Sequence, residues 1–212
     1  MVKNEAAGTV VLNLIKIIQD NKDFLSEIDG KIGDGDHGIN MNKGFTMCQN
    51  RLEGKSFSLS EGFDILSETL QEDIGGSMGP LYGVFFEELS AAAPEEIDGE
   101  AFAEMLESAI AGVQEIGNAK QGDKTLLDTL FPAKDAYRKA LKEGKGFNQA
   151  LEELKKGAEE GWKSTENMIA KIGRASRLGE RSRGVLDAGA TSSYLIITSI
   201  ADSLQKLNHE QN

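Results

Sequence analysis

The chain has 212 residues, 39% of them hydrophobic, with 24 glycines, three prolines and a formal net charge of −12. That length fits one large domain or two small ones with a sizeable core, and the acidity excludes the basic face that a nucleic-acid backbone requires. The lone Cys48 excludes a disulfide framework and suits a reducing compartment, and no run approaches the ~20 apolar residues of a membrane span.

In chain order, "MVKNEAAGTVVLNLIKII" lacks the basic region, apolar run and cleavage site of a signal peptide, so a cytoplasmic protein is expected. Val10, Leu14, Ile17 and Ile18 share one helical face, and Asn21 to Ser26 are expected to close that helix. The polar stretch "GKIGDGDHG" follows as a loop, then a helix from about Asn40 to Leu52 carrying Met41, Phe45 and Cys48. Ser58-Leu59-Ser60-Glu61 reads as a capping box, with Phe63, Leu66 and Leu70 continuing the stripe behind it. "GGSMGP" (75–80) breaks the pattern and "LYGVFFEELSAAA" resumes it. Asp98 is the predicted N-cap of a helix over Ala101 to Ile116. After the loop "GNAKQGDKT" (117–125) come helices over Leu126–Leu141 and Phe147–Ile172. An irregular stretch, "GRASRLGERSRG" (173–184), leads to a last helix over Ala188–Leu207. The expectation is an all-α, single-domain bundle (1–212) of about eight helices, with no convincing strand, linker or repeat. The four glycine-rich interruptions follow the first, third, fifth and seventh of these helices, so in an up-down bundle they should meet at one mouth.

Asp29, Asp34 and Asp36 are three carboxylates within eight residues. A divalent cation resolves their repulsion, and hard oxygen ligands suit Mg2+, Mn2+ or Ca2+; the alternative is a solvated acidic turn with Asp36 capping the next helix. An EF-hand loop fails, because its sixth position would be Ile39 and its twelfth Phe45. A phosphatase nucleophile should follow a buried strand, and "SEIDGKIG" is too polar for one. A Mg2+ site completed by water and phosphate oxygens fits better. His37 is a candidate for the phosphate or the metal shell, and Gly38 to Asn40 begin a helix whose free N–H groups attract phosphate. "GGSMG" ahead of Pro80 repeats that logic, with close helix packing at glycine as the alternative. Gly117 to Thr125 resembles a Walker A loop with one residue too many and no preceding strand, so a P-loop is rejected. Lys171, Arg174, Arg177, Arg181 and Arg183 make a mobile cationic flap over phosphates, a docking surface, or a solvated loop. No nucleophile pair and, apart from His37, no general base is evident, so the residues describe a holder of magnesium and nucleotide rather than a complete enzyme.

"GDGDHGINMNKGF" closely resembles the signature of the nucleotide-binding L subunits of bacterial dihydroxyacetone kinases, and the resemblance continues in order through "GGSMGPLYGVFF", "GDKTLLD", "GRASRLGERS" and "DAGATS". It implies an eight-helix barrel with the nucleotide, ADP or ATP, at its mouth. It places two Mg2+ ions on Asp29, Asp34 and Asp36, and nucleotide contacts on His37, Gly38, Ile39, Asn40, Ser77, Met78, Gly117, Leu126, Arg174, Asp187, Ala188 and Gly189, with Arg174 also offsetting charge on the transferred phosphoryl group. It further implies a separate K subunit holding dihydroxyacetone covalently on a histidine, an M subunit of the phosphotransferase system drawing on phosphoenolpyruvate to recharge bound ADP, and self-association as a homodimer. Related family members serve other ketoses or tetroses or take ATP directly, and a nucleotide sensor docking to a transcription regulator is the non-catalytic alternative. Two positions depart from the family: Met78 where a small residue is usual, and Ala188 where proline is usual.

Overall fold

A computed structural model describes residues 1–211. Nine α-helices are present among them: α1 (Thr9–Asp20), α2 (Lys22–Ile32), α3 (His37–Leu52), α4 (Leu59–Asp73), α5 (Met78–Ala91), α6 (Gly99–Gly117), α7 (Leu127–Lys142), α8 (Phe147–Ser164) and α9 (Ala188–Gln211). From α3 onward each helix packs on the one before it, α9 returns against α1, and α1 packs on α3. Eight helices thus close a ring, which accounts for the expected number, and α2 lies outside it against α3 and α9.

The extra helix corrects the first loop. The chain does not unwind after α1: Asn21 folds its amide back on the Ile17 carbonyl (2.8 Å), and α2 starts at the next residue. Leu25, Ile28 and Ile32 are its buried stripe, spaced at i, i+3 and i+7. Asp29 therefore stands on a helix rather than in a loop. Helix α3 likewise begins three residues earlier than expected, at His37.

Helix α4 carries the predicted box: Glu61 N–H donates to Ser58 Oγ (3.2 Å) and Ser58 N–H to Glu61 Oε2 (2.7 Å). Asp98 accepts from Ala101 N–H (2.9 Å) at the start of α6. Helix α8 ends at Ser164, well short of Ile172, because Ser164 and Thr165 turn their hydroxyls onto the carbonyls of Gly161 and Trp162 and a 3-10 turn (Thr165–Asn167) follows. The stretch read as irregular is a 3-10 segment (Arg174–Ser182), kinked at Gly179, where φ is +54°.

Phe45, Phe63 and Phe86 fill one part of the core, with ring centroids 5.5–6.1 Å apart around Phe86; Phe102 meets Tyr137 edge-on at 5.5 Å in another. Helices α7 and α8 cross closely because Gly157 and Gly161 face Pro132 and Asp128. A side-chain carbon on Gly161 would lie 2.2 Å from the Asp128 carbonyl, the one that Pro132 leaves without its helical donor. At one end of the ring a two-stranded antiparallel ladder joins β1 (Val2–Lys3) to β2 (Glu96–Ile97), a pairing the sequence pattern did not reveal. No helix among the described residues is long and apolar enough to cross a membrane.

Candidate functional site

Alternating direction around the ring brings four helix starts, those of α3, α5, α7 and α9, to the end opposite the small ladder. A cleft of about 270 Å3 opens there, lined from all four glycine-rich junctions expected to meet.

The acidic wall is Asp29, Asp34 and Asp36, whose carboxylate oxygens lie within 4.8 Å of one another. Asp29 Oδ2 accepts the His37 backbone N–H (3.3 Å), so this carboxylate also covers one free donor at the start of α3. Arg174, at the head of the 3-10 segment, pairs with Asp34 Oδ2. Three oxygen donors of this kind fit a hard divalent cation such as Mg2+; with one arginine among them, the cluster retains more negative charge than its neighbours neutralise.

Behind that wall runs a hydroxyl chain. His37 Nε2 lies 2.8 Å from Ser192 Oγ, which lies 2.5 Å from the Tyr82 hydroxyl, and Tyr82 also donates to the Gly189 carbonyl (3.1 Å). Burial lowers the His37 pKa to about 4, so the ring is neutral at pH 7. Burial also raises Tyr82 to about 12 and Asp187 to about 6; the Ala190 amide, donating to Asp187 Oδ2 at 2.8 Å, and the Lys124 charge pull Asp187 back down. Asp187 thereby caps the first turn of α9. Farther along α9, Trp162 stacks on Tyr194 (4.5 Å) and donates its indole N–H to Thr191 Oγ1 (2.8 Å).

Of the residues singled out in the sequence, Asp29, Asp34, Asp36, His37, Asn40, Ser77, Met78, Leu126, Arg174, Asp187, Ala188 and Gly189 line the cleft. Three others stand apart from its lining. Gly38 is buried where α3 crosses α2, and a side-chain carbon there would lie 2.0 Å from the Lys22 carbonyl. Ile39 is 53% exposed on the outer side of the same turn. Gly117 ends α6 beside Leu81, itself a lining residue. Both departures from the family pattern face the cleft, Met78 as the first residue of α5 and Ala188 as the first of α9.

Sequence reasoning missed Tyr82, Ser192 and Lys124. The first two were findable: Tyr82 is four residues past Met78 and Ser192 four past Ala188, on the same helical faces. Lys124 lies in the loop whose spacing fails the P-loop pattern. Its ammonium does not serve a phosphate in this structure, since it is bonded to the carbonyls of Met168, Ser182 and Val185.

Residues 31–202 match the DAK2 domain family. The ADP-binding subunit of PEP-dependent dihydroxyacetone kinase 2 of Listeria innocua is 33% identical over 94% of this chain and 94% of its own. The ADP-binding subunits of the PTS-dependent kinase of Lactococcus lactis (38%; 85% and 88% covered) and the PEP-dependent kinase of Escherichia coli (35%; 87% and 90%) are also similar. The native crystal structure of the C. freundii dihydroxyacetone kinase superposes with a TM-score of 0.71 at 24% identity; it covers 96% of this chain, which spans 36% of that larger one. A family match running from the acidic loop into the last helix, with relatives aligned nearly end to end, establishes that this chain belongs to the DAK2 domain family.

Proposed function

We propose that this chain is the nucleotide-binding subunit of a dihydroxyacetone kinase. It holds ADP or ATP with two Mg2+ ions at the mouth of the ring and passes the phosphoryl group to a hydroxyketone carried by a separate K subunit. Bound ADP is recharged from phosphoenolpyruvate through a phosphotransferase-system M subunit, and the assembly works in the cytoplasm. The ADP-binding roles named for the Listeria, Lactococcus and Escherichia relatives support this reading. Dihydroxyacetone is preferred as acceptor because identity to those subunits exceeds the 30–32% to two erythrulose kinases, of which this chain spans about a third.

The observation that carries the reading is a pairing of opposite fields in one cleft. Four helix starts turn positive dipole ends to the cleft, and those of α3, α5 and α9 also keep N–H groups free, whereas the first N–H groups of α7 are taken by Thr125 and Leu126; both features attract phosphate. Three carboxylates stand beside them and repel it. Asp29, Asp34 and Asp36 would hold magnesium, whose charge would offset their repulsion of the phosphates. When bound, the metal would offset charge on the transferring group. The chain's own part is to hold the carboxylates together, aim the amides of α3, α5 and α9 at the phosphates, and bring Arg174 from the flap to the same point.

Calorimetry with ADP, with and without Mg2+, tests this. Asp34→Ala should abolish Mg-dependent ADP binding, a loss of about a hundredfold or more, while far-UV circular dichroism stays unchanged. Unchanged affinity in the folded variant would sink the reading. Sugar-phosphate formation with a cognate K subunit and dihydroxyacetone, supplied with ATP or with a phosphoenolpyruvate-fed M subunit, separates a kinase subunit from a nucleotide sensor. ADP that survives purification favours the coenzyme mode.

A further inference from the structure

Lys124 is 2% exposed, a rare place for an ammonium group. Its φ of +63° is unfavourable for any residue but glycine. The loop enforces that conformation: buried Asp128 accepts the N–H groups of Gly122 (2.5 Å) and Thr125 (2.8 Å), and Asp123 accepts that of Lys120 (2.9 Å). Burying a charge in a strained loop is costly unless its hydrogen bonds are satisfied, and here they are. The three N–H donors of Nζ meet three carbonyl oxygens, of Met168 (3.3 Å), Ser182 (2.5 Å) and Val185 (2.6 Å). Burial lowers the Lys124 pKa and the Arg183 charge adds to that, while the charges of Asp187 and Glu166 pull it back toward the ammonium.

Those carbonyls do not belong to one turn. Met168 precedes the cationic flap, Ser182 closes its 3-10 segment and Val185 follows it. One side chain from the α6–α7 loop therefore gathers both ends of a segment from the α8–α9 connection. Neighbouring bonds repeat the theme: Lys171 N–H donates to the Asp123 carbonyl (3.1 Å), Ala170 N–H to Ser182 Oγ (2.9 Å), and Gly184 N–H to the Glu166 carbonyl (2.7 Å). The tip is built differently. Ser176 bonds back to the Gly173 carbonyl within its own turn, and Arg174 reaches across to Asp34.

We propose that Lys124 is a positioning residue that ties both ends of the flap to one ammonium and so holds Arg174 over the acidic wall of the cleft. Its ammonium acts through Arg174, since all three of its donors are taken by main-chain carbonyls. Arginine cannot replace it, because a planar guanidinium does not direct three donors from one nitrogen. The proposal rests on the nucleotide reading only for its effect on ADP; the anchoring itself does not.

Trypsin reads the anchoring directly, since Lys171, Arg174, Arg177, Arg181 and Arg183 are its sites and cleavage requires local opening. In Lys124→Met, with helicity retained, cleavage within 171–183 should be about tenfold faster or more and release of Mg-ADP about tenfold faster, and Lys124→Arg should restore neither. In Lys124→Ala, n-propylammonium replaces the missing atoms and should restore slow cleavage. Once Arg174→Ala is present, Lys124→Met should cause no further loss of ADP affinity, whereas general structural damage would add. Wild-type cleavage rates in a folded Lys124→Met, no protection by n-propylammonium, or fully additive losses would each overturn the proposal. The unsubstituted protein gives a check that needs no variant: the Lys124 ammonium protons should be visible by NMR at neutral pH, and exchange as fast as that of surface lysines overturns the anchor. If the unsubstituted protein bound no Mg-ADP, the nucleotide reading would fail while cleavage and ammonium exchange still decided on Lys124.

Discussion

At the end of the ring that carries the small ladder, polar groups answer one another. Asn4 donates to Ser60 Oγ (2.7 Å) and the Pro94 carbonyl (3.0 Å) and accepts from Ser60 N–H (3.1 Å), while Ser90 Oγ donates to the Ser60 carbonyl (3.0 Å). At the mouth, three carboxylates crowd together around one arginine, and four helix starts face the same space. The first end satisfies its polar groups internally; the second gathers like charge that its one arginine does not balance. Stability and binding should accordingly separate along the axis of the ring, with Asp34→Ala removing binding and leaving the fold.

Gly38→Ala is the substitution most able to break that separation. It lies at the mouth, yet its new carbon would press on the Lys22 backbone where α2 crosses α3. We expect a loss of stability on the order of 3 kcal/mol, visible in thermal melts without any ligand. An unchanged melting temperature would mean that α2 is free to move, and Asp29 with it. Asn4→Ala probes the other end: losing these bonds should cost about 1–3 kcal/mol in chemical denaturation, with Mg-ADP affinity the same as wild type. A fall in affinity there would show the two ends to be coupled.

A pH dependence at the mouth sharpens the contrast further. His37 has its folded pKa lowered to about 4 by burial, from 6.5. The unfolded chain therefore binds its proton first as pH falls, and the stability that neutral His37 contributes is lost between about pH 6.5 and 4. Asp187, raised from 3.8 to about 6, has the opposite sign: its contribution is present below 3.8 and lost as pH rises through 6. Metal-free His37→Gln should lose less stability than wild type between pH 6.5 and 4; parallel melting curves would show the ring to be solvated.

The ladder end was partly legible in the sequence and the mouth largely so, for different reasons. Ser58 with Glu61, and Asp98, announce their helices through local chemistry that needs no partner. The meeting of four junctions followed from alternation alone, once the helices were counted in pairs. What stayed hidden depended on contacts distant in sequence. Leu25, Ile28 and Ile32 are too sparse in a polar run to announce α2 without the α3 and α9 surfaces they cover. Ser164 and Thr165 stop α8 through hydroxyl bonds that any helical serine or threonine could decline. The strands Val2–Lys3 and Glu96–Ile97 are two residues each, too short for any periodicity. Gly38 reads in the sequence as a residue for a ligand, and its missing side chain also serves a helix crossing, a second role that only the Lys22 carbonyl reveals.

The closed ring also dictates an order of assembly. Neighbours from α3 to α9 are consecutive in the chain and can dock as each pair forms, at little cost in loop closure. One seam is different: α9 against α1, where Asn13 donates to Ser203 Oγ at 2.9 Å, joins segments 190 residues apart. That seam must wait for nearly the whole chain. Because α9 opens with Ala188 and Gly189 at the cleft, the site is incomplete until the last joint shuts. A partly folded chain therefore has no finished cleft to offer, and ligand capture marks the end of folding rather than a step along it.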